Sequence, residues 1–276
     1  MKQPEIKAAA IQMASGTNVN ANLLTTEKLL EEAARQGARL AVLPENFAFM
    51  GASCADALPY REREGDGPLQ QFLSKIAARL GIWIVGGTIP LESNDRSKWR
   101  AASLVFNGEG KEVARYDKRH LFDVTLVESN EHFNESDGIE AGNKTVVIDS
   151  PVGKLGLAVC YDLRFPELFR AMIDQGAEVI ALPAAFTAVT GRAHWEVLLR
   201  SRAIENLSYV IASAQGGFHI NSRETYGHSM IVDPWGSILD QRERGNGFAI
   251  SKIDTDFLRK TRRNFPCLQH RKLFCS

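Results

Sequence analysis

Lys154-Leu155-Gly156-Leu157-Ala158-Val159-Cys160-Tyr161-Asp162 runs from apolar residues straight into a thiol, and a turn, Arg164-Phe165-Pro166-Glu167, then opens a helical pattern. A strand feeding a helix in this way belongs to an α/β protein, where strand ends lift side chains into a crevice. The junction also places the thiol near helix N-terminal amides, which favour a thiolate. A free cysteine can instead pack as a small hydrophobe. The segment therefore points to the fold class and leaves the use of the thiol to the rest of the chain.

The same alternation extends in both directions. Ile6 to Gln12 reads as a strand, Asn22 to Gln36 as a helix stopped by Gly37, and Leu40 to Leu43 as a strand cut off by Pro44. Pro68 to Leu80 is a helix with Pro at its start and Gly81 at its end. Ile82 to Thr88 is another strand. Ser103 to Phe106 and Glu112 to Tyr116 flank Asn107-Gly108-Glu109-Gly110, a hairpin signal. After Cys160 come a helix from Glu167 to Gln175, a strand from Val179 to Leu182, a helix from His194 to Glu205 and a strand from Tyr209 to Ala214. A second hairpin, Met230 to Leu239, turns at Asp233-Pro234-Trp235-Gly236. Phe248 to Ile253 is a last strand and Asp256 to Arg263 a last short helix. Residues 127–144 lack periodicity and read as a long loop, a kind of segment that is often functional in compact domains. No linker divides the chain, so residues 1–276 read as one domain, with a core of about 5–255 and an extended tail from Asn264 to Ser276. Mixed strand pairs with interleaved helices suggest two packed sheets with helices outside.

Composition narrows the function classes. The 276 residues are 44% hydrophobic and 24% charged, as in ordinary globular proteins. Lys and Arg total 33, as do Asp and Glu, which argues against a general nucleic-acid-binding surface. The basic run Arg259-Lys260-Thr261-Arg262-Arg263 reads as a solvated helix face. No apolar segment reaches the length of a membrane span, and the N-terminus lacks a signal peptide's apolar stretch. Cys54, Cys160, Cys267 and Cys275 form no metal-ligand spacing, and neither do the histidines, so no metal or other cofactor is expected. A cytoplasmic protein with free thiols follows. The Asn-x-Ser/Thr sequons at Asn134, Asn143 and Asn206 are then chance.

Three further segments supply groups that would serve a thiol. Leu40-Ala41-Val42-Leu43-Pro44-Glu45 ends an apolar strand in an acid, and a carboxylate stripped of solvent there gains basicity. Tyr116-Asp117-Lys118 follows the first hairpin, and a lysine would stabilise a thiolate and attract an oxyanion. Glu135-Ser136-Asp137 lies seven residues before Gly142, and its carboxylate could hold the lysine. Each has a plainer reading as surface or loop polarity. Together they permit thiol chemistry. Glu45 accepts the Cys160 proton, Lys118 and the Tyr161 amide receive an oxyanion, and Glu45 returns the proton to a leaving amine.

With these motifs in view the chain resembles the nitrilase superfamily of carbon–nitrogen hydrolases. Leu43-Pro44-Glu45, Tyr116-Asp117-Lys118, Glu135 with Gly142, and Val159-Cys160-Tyr161-Asp162-Leu163-Arg164-Phe165-Pro166-Glu167 carry the resemblance, which runs from about Ile6 to about Ile253. It implies a four-layer αββα sandwich, a Glu45–Lys118–Cys160 triad with Glu135 as second glutamate (Glu128 competes for that role), and homodimers or larger homo-oligomers. Cys160-Tyr161-Asp162, where true nitrilases have Cys-Trp-Glu, implies an amidase. Two longer stretches, Pro183 to Glu196 and Ala214 to Met230, resemble the branch that hydrolyses deaminated glutathione to 2-oxoglutarate and cysteinylglycine. Thr187 separates it from related ω-amidases, which more often carry Asn there and act on 2-oxoglutaramate and 2-oxosuccinamate; N-carbamoyl amide hydrolysis is a further alternative. Such a small anionic amide needs cationic anchors. Arg164 is the leading carboxylate clamp, with a structural ion pair as its plain alternative. His194, at the expected start of its helix, is read as pocket wall rather than base. Tyr161, Phe186 and Thr187 complete the expected substrate-binding set. Phe47, Phe122, Phe165 and Trp195 could line the pocket or fill the core.

Overall fold

A computed structural model describes residues 6–126 and 131–273. The first half supplies β1 (Lys7–Gln12), α1 (Val19–Arg35), β2 (Ala38–Val42), α2 (Pro68–Leu80), β3 (Trp83–Val85), β4 (Ile89–Glu92), β5 (Trp99–Phe106) and β6 (Glu112–Asp117), then a small hairpin of β7 (Asp123–Leu126) and β8 (Glu131–Asn134). The second half runs β9 (Val147–Ser150), β10 (Gly153–Leu157), α3 (Pro166–Asp174), β11 (Val179–Ala184), α4 (Ala188–Asn206) and β12 (Tyr209–Ala214). A hairpin of β13 (Gly216–Phe218) and β14 (Glu224–Tyr226) follows, then β15 (Ser229–Val232), β16 (Ile238–Arg242), β17 (Gly247–Lys252) and α5 (Thr255–Asn264).

One sheet has the order β17-β1-β2-β3-β5-β4, with β6 also paired to β5; the other has the order β16-β15-β12-β11-β10-β9. Side chains alternate across a strand, and both faces of β1 are covered. Ala8 and Ala10 belong to the core between the sheets, while Ala9 and Ile11 pack with Leu30 and Ala33 of α1 and Leu73 and Ile76 of α2. A strand buried on both faces reads as a continuous apolar run, as Ala8 to Ile11 of β1 and Leu40 to Val42 of β2 do. Leu168, Phe169 and Met172 of α3, with Trp195, Leu199 and Ala203 of α4, cover the outer face of the second sheet. The layers are therefore α, β, β, α. Asn18 caps α1 by accepting from the Ala21 amide at 3.0 Å. Gly81, at φ +65°, ends α2 in the left-handed conformation.

Several expectations need correction. Residues 127–144 are not simply a loop, because β8 and a 3-10 turn over Glu135–Asp137 occupy part of them. The short strands β4, β9, β13 and β14 have too few residues to show a period. α4 begins at Ala188, not His194, with Thr187 as its cap. The tail is not wholly extended either: Cys267–His270 form a 3-10 turn, and Arg271 pairs with Asp174 of α3 at 2.6 Å. Cys275 lies outside the described residues, as does Glu128. Arg262 is a strut rather than part of a solvated face, donating to the carbonyls of Leu207 and Ala177. The sequon residue Asn206 is fully buried.

Candidate active site

The carboxyl ends of β2, β6, β10 and β11 converge, and Glu45, Glu135, Cys160 and Ala185 open on one cavity there. Each side chain is delivered by a backbone held in place. Beyond β2, Asn46 sits at φ +57° and its amide donates to the Thr88 hydroxyl at 2.9 Å. Gly87 lies so close that a Cβ there would meet the Pro44 carbonyl at 2.1 Å. The buried Gln215 donates to the Glu45 carbonyl at 3.0 Å and to the Ser15 hydroxyl at 2.8 Å. Beyond β6, the Lys118 amide donates to Ala101 O, and its carbonyl accepts from Gly142, both at 2.9 Å. A Cβ on Gly142 would meet the Asp117 carbonyl at 2.2 Å, so only glycine lets that loop close.

Cys160 begins a 3-10 turn, Cys160–Arg164, at φ +49°. A non-glycine residue in the left-handed region is strained, and such strain collects at functional sites. Asp162 secures the bend. Its fully buried carboxylate accepts from the Val159 amide at 2.8 Å, the Tyr116 hydroxyl at 2.7 Å and the His120 amide at 3.0 Å, and lies 2.6 Å from His120 Nδ1. His120 in turn stacks on Phe165, with ring centroids 3.7 Å apart.

Beneath the thiol lies a carboxylate–ammonium–carboxylate cluster. Lys118 Nζ donates to Glu45 Oε1 at 2.8 Å and to Glu135 at 2.7–2.8 Å, with no exposed side-chain surface. Glu135 Oε2 also accepts from the Phe122 amide at 2.8 Å. The ammonium thus meets three carboxylate oxygens, one of Glu45 and both of Glu135. Burial works against charge on Lys118, but Glu135 and Glu45 hold it well above the usual lysine range. Burial pushes the Cys160 thiol well above its ordinary value, and Glu45 adds to this; Lys118 and the Ala185 amide, which donates to the sulfur, pull the other way. Burial thus favours the neutral thiol, against the thiolate expected from helix amides. The 3-10 turn separates it from α3, which starts only at Pro166.

Tyr161, Arg164, Phe186 and Thr187 lie on the cavity wall. Thr187 has a second duty, because its hydroxyl accepts from the Thr190 amide at 3.3 Å at the start of α4. Arg164 has no carboxylate partner among the described residues, so the ion-pair alternative is not what the structure shows. Its guanidinium lies 5.3 Å from the Phe186 centroid, with Nη1 3.3 Å from His194 Nδ1. His194 is exposed and off the cavity wall, touching the site only through Arg164. Phe122 lines the cavity, whereas Phe47, Phe165 and Trp195 do not. Sequence reasoning missed Phe49, Phe133, Cys54 and Arg223 on the wall, the anchoring by Asp162, and the brace from Gln215. Gln215 and Arg223 both fall within the stretch Ala214 to Met230, singled out without a role for either. Burial pushes the Cys54 thiol up to about 12.

The carbon–nitrogen hydrolase family model matches residues 7–263. The chain is 44% identical over 269 residues to a deaminated glutathione amidase of Yersinia enterocolitica, covering 97% of this chain and 93% of that protein. A human deaminated glutathione amidase is 40% identical over 267 residues, 96% of this chain and 81% of that protein. Among solved structures, Nit3 of Saccharomyces cerevisiae, a member of branch 10 of the nitrilase superfamily, superposes with a TM-score of 0.87 at 33% identity, covering 98% of this chain and 97% of that one. The NitFhit protein of C. elegans gives 0.89 at 33% identity over 99% of this chain, which spans 66% of that longer protein. A family match across most of the chain, together with this fold, means that the protein belongs to the carbon–nitrogen hydrolase family, enzymes of the nitrilase superfamily.

Proposed function

We propose that this hydrolase cleaves the side-chain amide of a 2-oxo acid, with deaminated glutathione as substrate and 2-oxoglutarate and cysteinylglycine as products. Relatives of that name, at 40–45% identity over nearly the whole chain, support the reading. The observation that carries it is the opening of a thiol, the Glu45–Lys118–Glu135 cluster and the carboxylate-free Arg164 onto one cavity.

Glu45 takes the proton from Cys160 as the sulfur attacks the amide carbon, so the elevated thiol need not ionise beforehand. The carbonyl oxygen becomes an oxyanion, which the Lys118 ammonium and the Tyr161 amide receive. Collapse breaks the C–N bond, and Glu45 returns its proton to the departing amine. The acyl group remains on Cys160 as a thioester. Water then enters, gives its proton to Glu45 and attacks the thioester; the thiol leaves with that proton. Glu135 keeps Lys118 in place throughout. Arg164 clamps the carboxylate of the 2-oxo acid, steadied by the rings of Phe186 and Tyr161. This chemistry uses neither a metal nor an organic cofactor.

The same reading takes the protein to be cytoplasmic and to act as a homodimer or larger homo-oligomer, without nucleic-acid or membrane partners. Val197 and Ile204, exposed at 65% and 47% and two turns apart on α4, offer an apolar strip for self-association. No helix among the described residues is long and apolar enough to cross a membrane. A coupled assay for 2-oxoglutarate release, with Cys160→Ala as control, tests the activity. Comparing kcat/KM for deaminated glutathione, 2-oxoglutaramate and an N-carbamoyl amide tests the substrate. A preference for 2-oxoglutaramate would make the protein an ω-amidase instead.

A further inference from the structure

A second guanidinium shares the cavity. Arg223 joins the 3-10 turn Ile220–Ser222 to β14, and its side chain lies on the cavity wall with Cζ 5.2 Å from the Phe133 centroid. Its Nε–H is buried without a hydrogen-bond partner, and no carboxylate pairs with it among the described residues. A buried charged donor left unsatisfied opposes folding, so its placement on a substrate cavity calls for a ligand.

The hairpin that carries Arg223 is firmly held. The Tyr226 amide donates to Phe186 O at 3.0 Å, and Thr225 bridges Thr187 beside the nucleophile loop. The His219 amide donates to the Arg223 carbonyl at 2.8 Å. His219 Nδ1 donates to Ser15 O at 2.8 Å, and its Nε2 accepts from the Thr225 hydroxyl at 2.7 Å. Gly191 of α4 leaves room for Tyr226, since a Cβ there would lie 2.2 Å from the tyrosine's own. Arg223 is therefore positioned by the fold and does not dangle at the rim.

Charge indicates what it binds. Glu45, Lys118 and Glu135 together leave one negative charge, which would repel an anion. Arg164 and Arg223 reverse that sign. The two are held by different rings on different elements, Arg164 over Phe186 and Tyr161, Arg223 over Phe133. One guanidinium forks onto one carboxylate, so two separated guanidiniums suit a ligand with a carboxylate at each end. We infer that Arg223 anchors the carboxylate on the leaving-amine side of the scissile bond, the terminal glycine carboxylate of a peptide-like amide. It thereby selects such substrates over short 2-oxo acid amides. This inference rests on the substrate reading above.

The test compares wild type, Arg223→Gln and Arg223→Lys on three substrates: deaminated glutathione, its analogue with the glycine carboxylate converted to a carboxamide, and 2-oxoglutaramate. The expected result is a KM for deaminated glutathione raised roughly ten- to fiftyfold in Arg223→Gln, with kcat within about twofold. The carboxamide and 2-oxoglutaramate values stay unchanged, and Arg223→Lys falls in between. Equal loss on all three substrates in both variants, or no loss on any, overturns the anchor while leaving the wild-type activity in place. A wild type inactive on deaminated glutathione and its carboxamide overturns the substrate reading and the anchor with it.

Discussion

The floor and the mouth of the cavity are built on opposite electrostatic plans. At the floor every charged group is matched: Lys118 lies between Glu45 and Glu135, and Glu135 also takes the Phe122 amide. At the mouth Arg164 and Arg223 meet rings and a histidine but no carboxylate among the described residues. A matched cluster is rigid before substrate arrives, as preorganised transition-state stabilisation requires. Unmatched cations hold binding energy in reserve for an anion. Floor variants should therefore change turnover and stability, and mouth variants KM alone.

The largest effect should come from Cys160→Ala, which removes the nucleophile and lowers 2-oxoglutarate release by at least about 10⁴-fold. A variant that keeps more than a few per cent of the activity would show that another group attacks. Lys118→Met comes next. It leaves two buried carboxylates facing each other without a cation, and breaking such a cluster costs about 3–5 kcal/mol. Turnover should be abolished and denaturant unfolding shifted accordingly; an unchanged midpoint would erase the contrast between floor and mouth. Arg164→Met should raise KM for 2-oxo acid amides roughly ten- to a hundredfold, the worth of about 1.5–3 kcal/mol for a charged hydrogen bond, with an unchanged melting temperature. Unchanged KM would remove Arg164 as a clamp.

Two smaller effects sharpen the same comparison. Burial and Glu45 raise the Cys160 thiol, so its ionisation lies on the alkaline side of an ordinary cysteine. Its alkylation by iodoacetamide should still be climbing above about pH 10, where a free thiol has levelled off. Glu45→Gln removes a negative neighbour and should move that rise to lower pH, while also slowing acylation. A rate already level by neutral pH in wild type would mean that the resting group is a thiolate. His194→Asn should raise KM only a few-fold, because the ring supports Arg164 from outside the cavity. If it abolished acylation while Glu45→Gln left acylation intact, the base would be His194 and the floor assignment would fail.

Local pattern determined much of this protein. The apolar runs before Glu45 and Cys160, the turn at Asn107 to Gly110, and the Pro68 and Gly81 that bracket α2 each act within a few residues, so their consequences are legible in order along the chain. The spacing of Glu135 to Gly142 belongs with them, and the structure supplies its cause in the close approach of Gly142 to Asp117. Tertiary structure alone decided the rest. The bonds from Tyr116 and His120 to Asp162 span 46 and 42 residues, the brace from Gln215 to Glu45 spans 170, and Arg223 meets Phe133 from a different hairpin. It also set the state of the thiol, because the desolvation that raises it comes from the packing of both sheets and not from its neighbours in sequence. Hydrophobic periodicity is a local property of the chain, whereas burial and charge pairing exist only once distant segments have met.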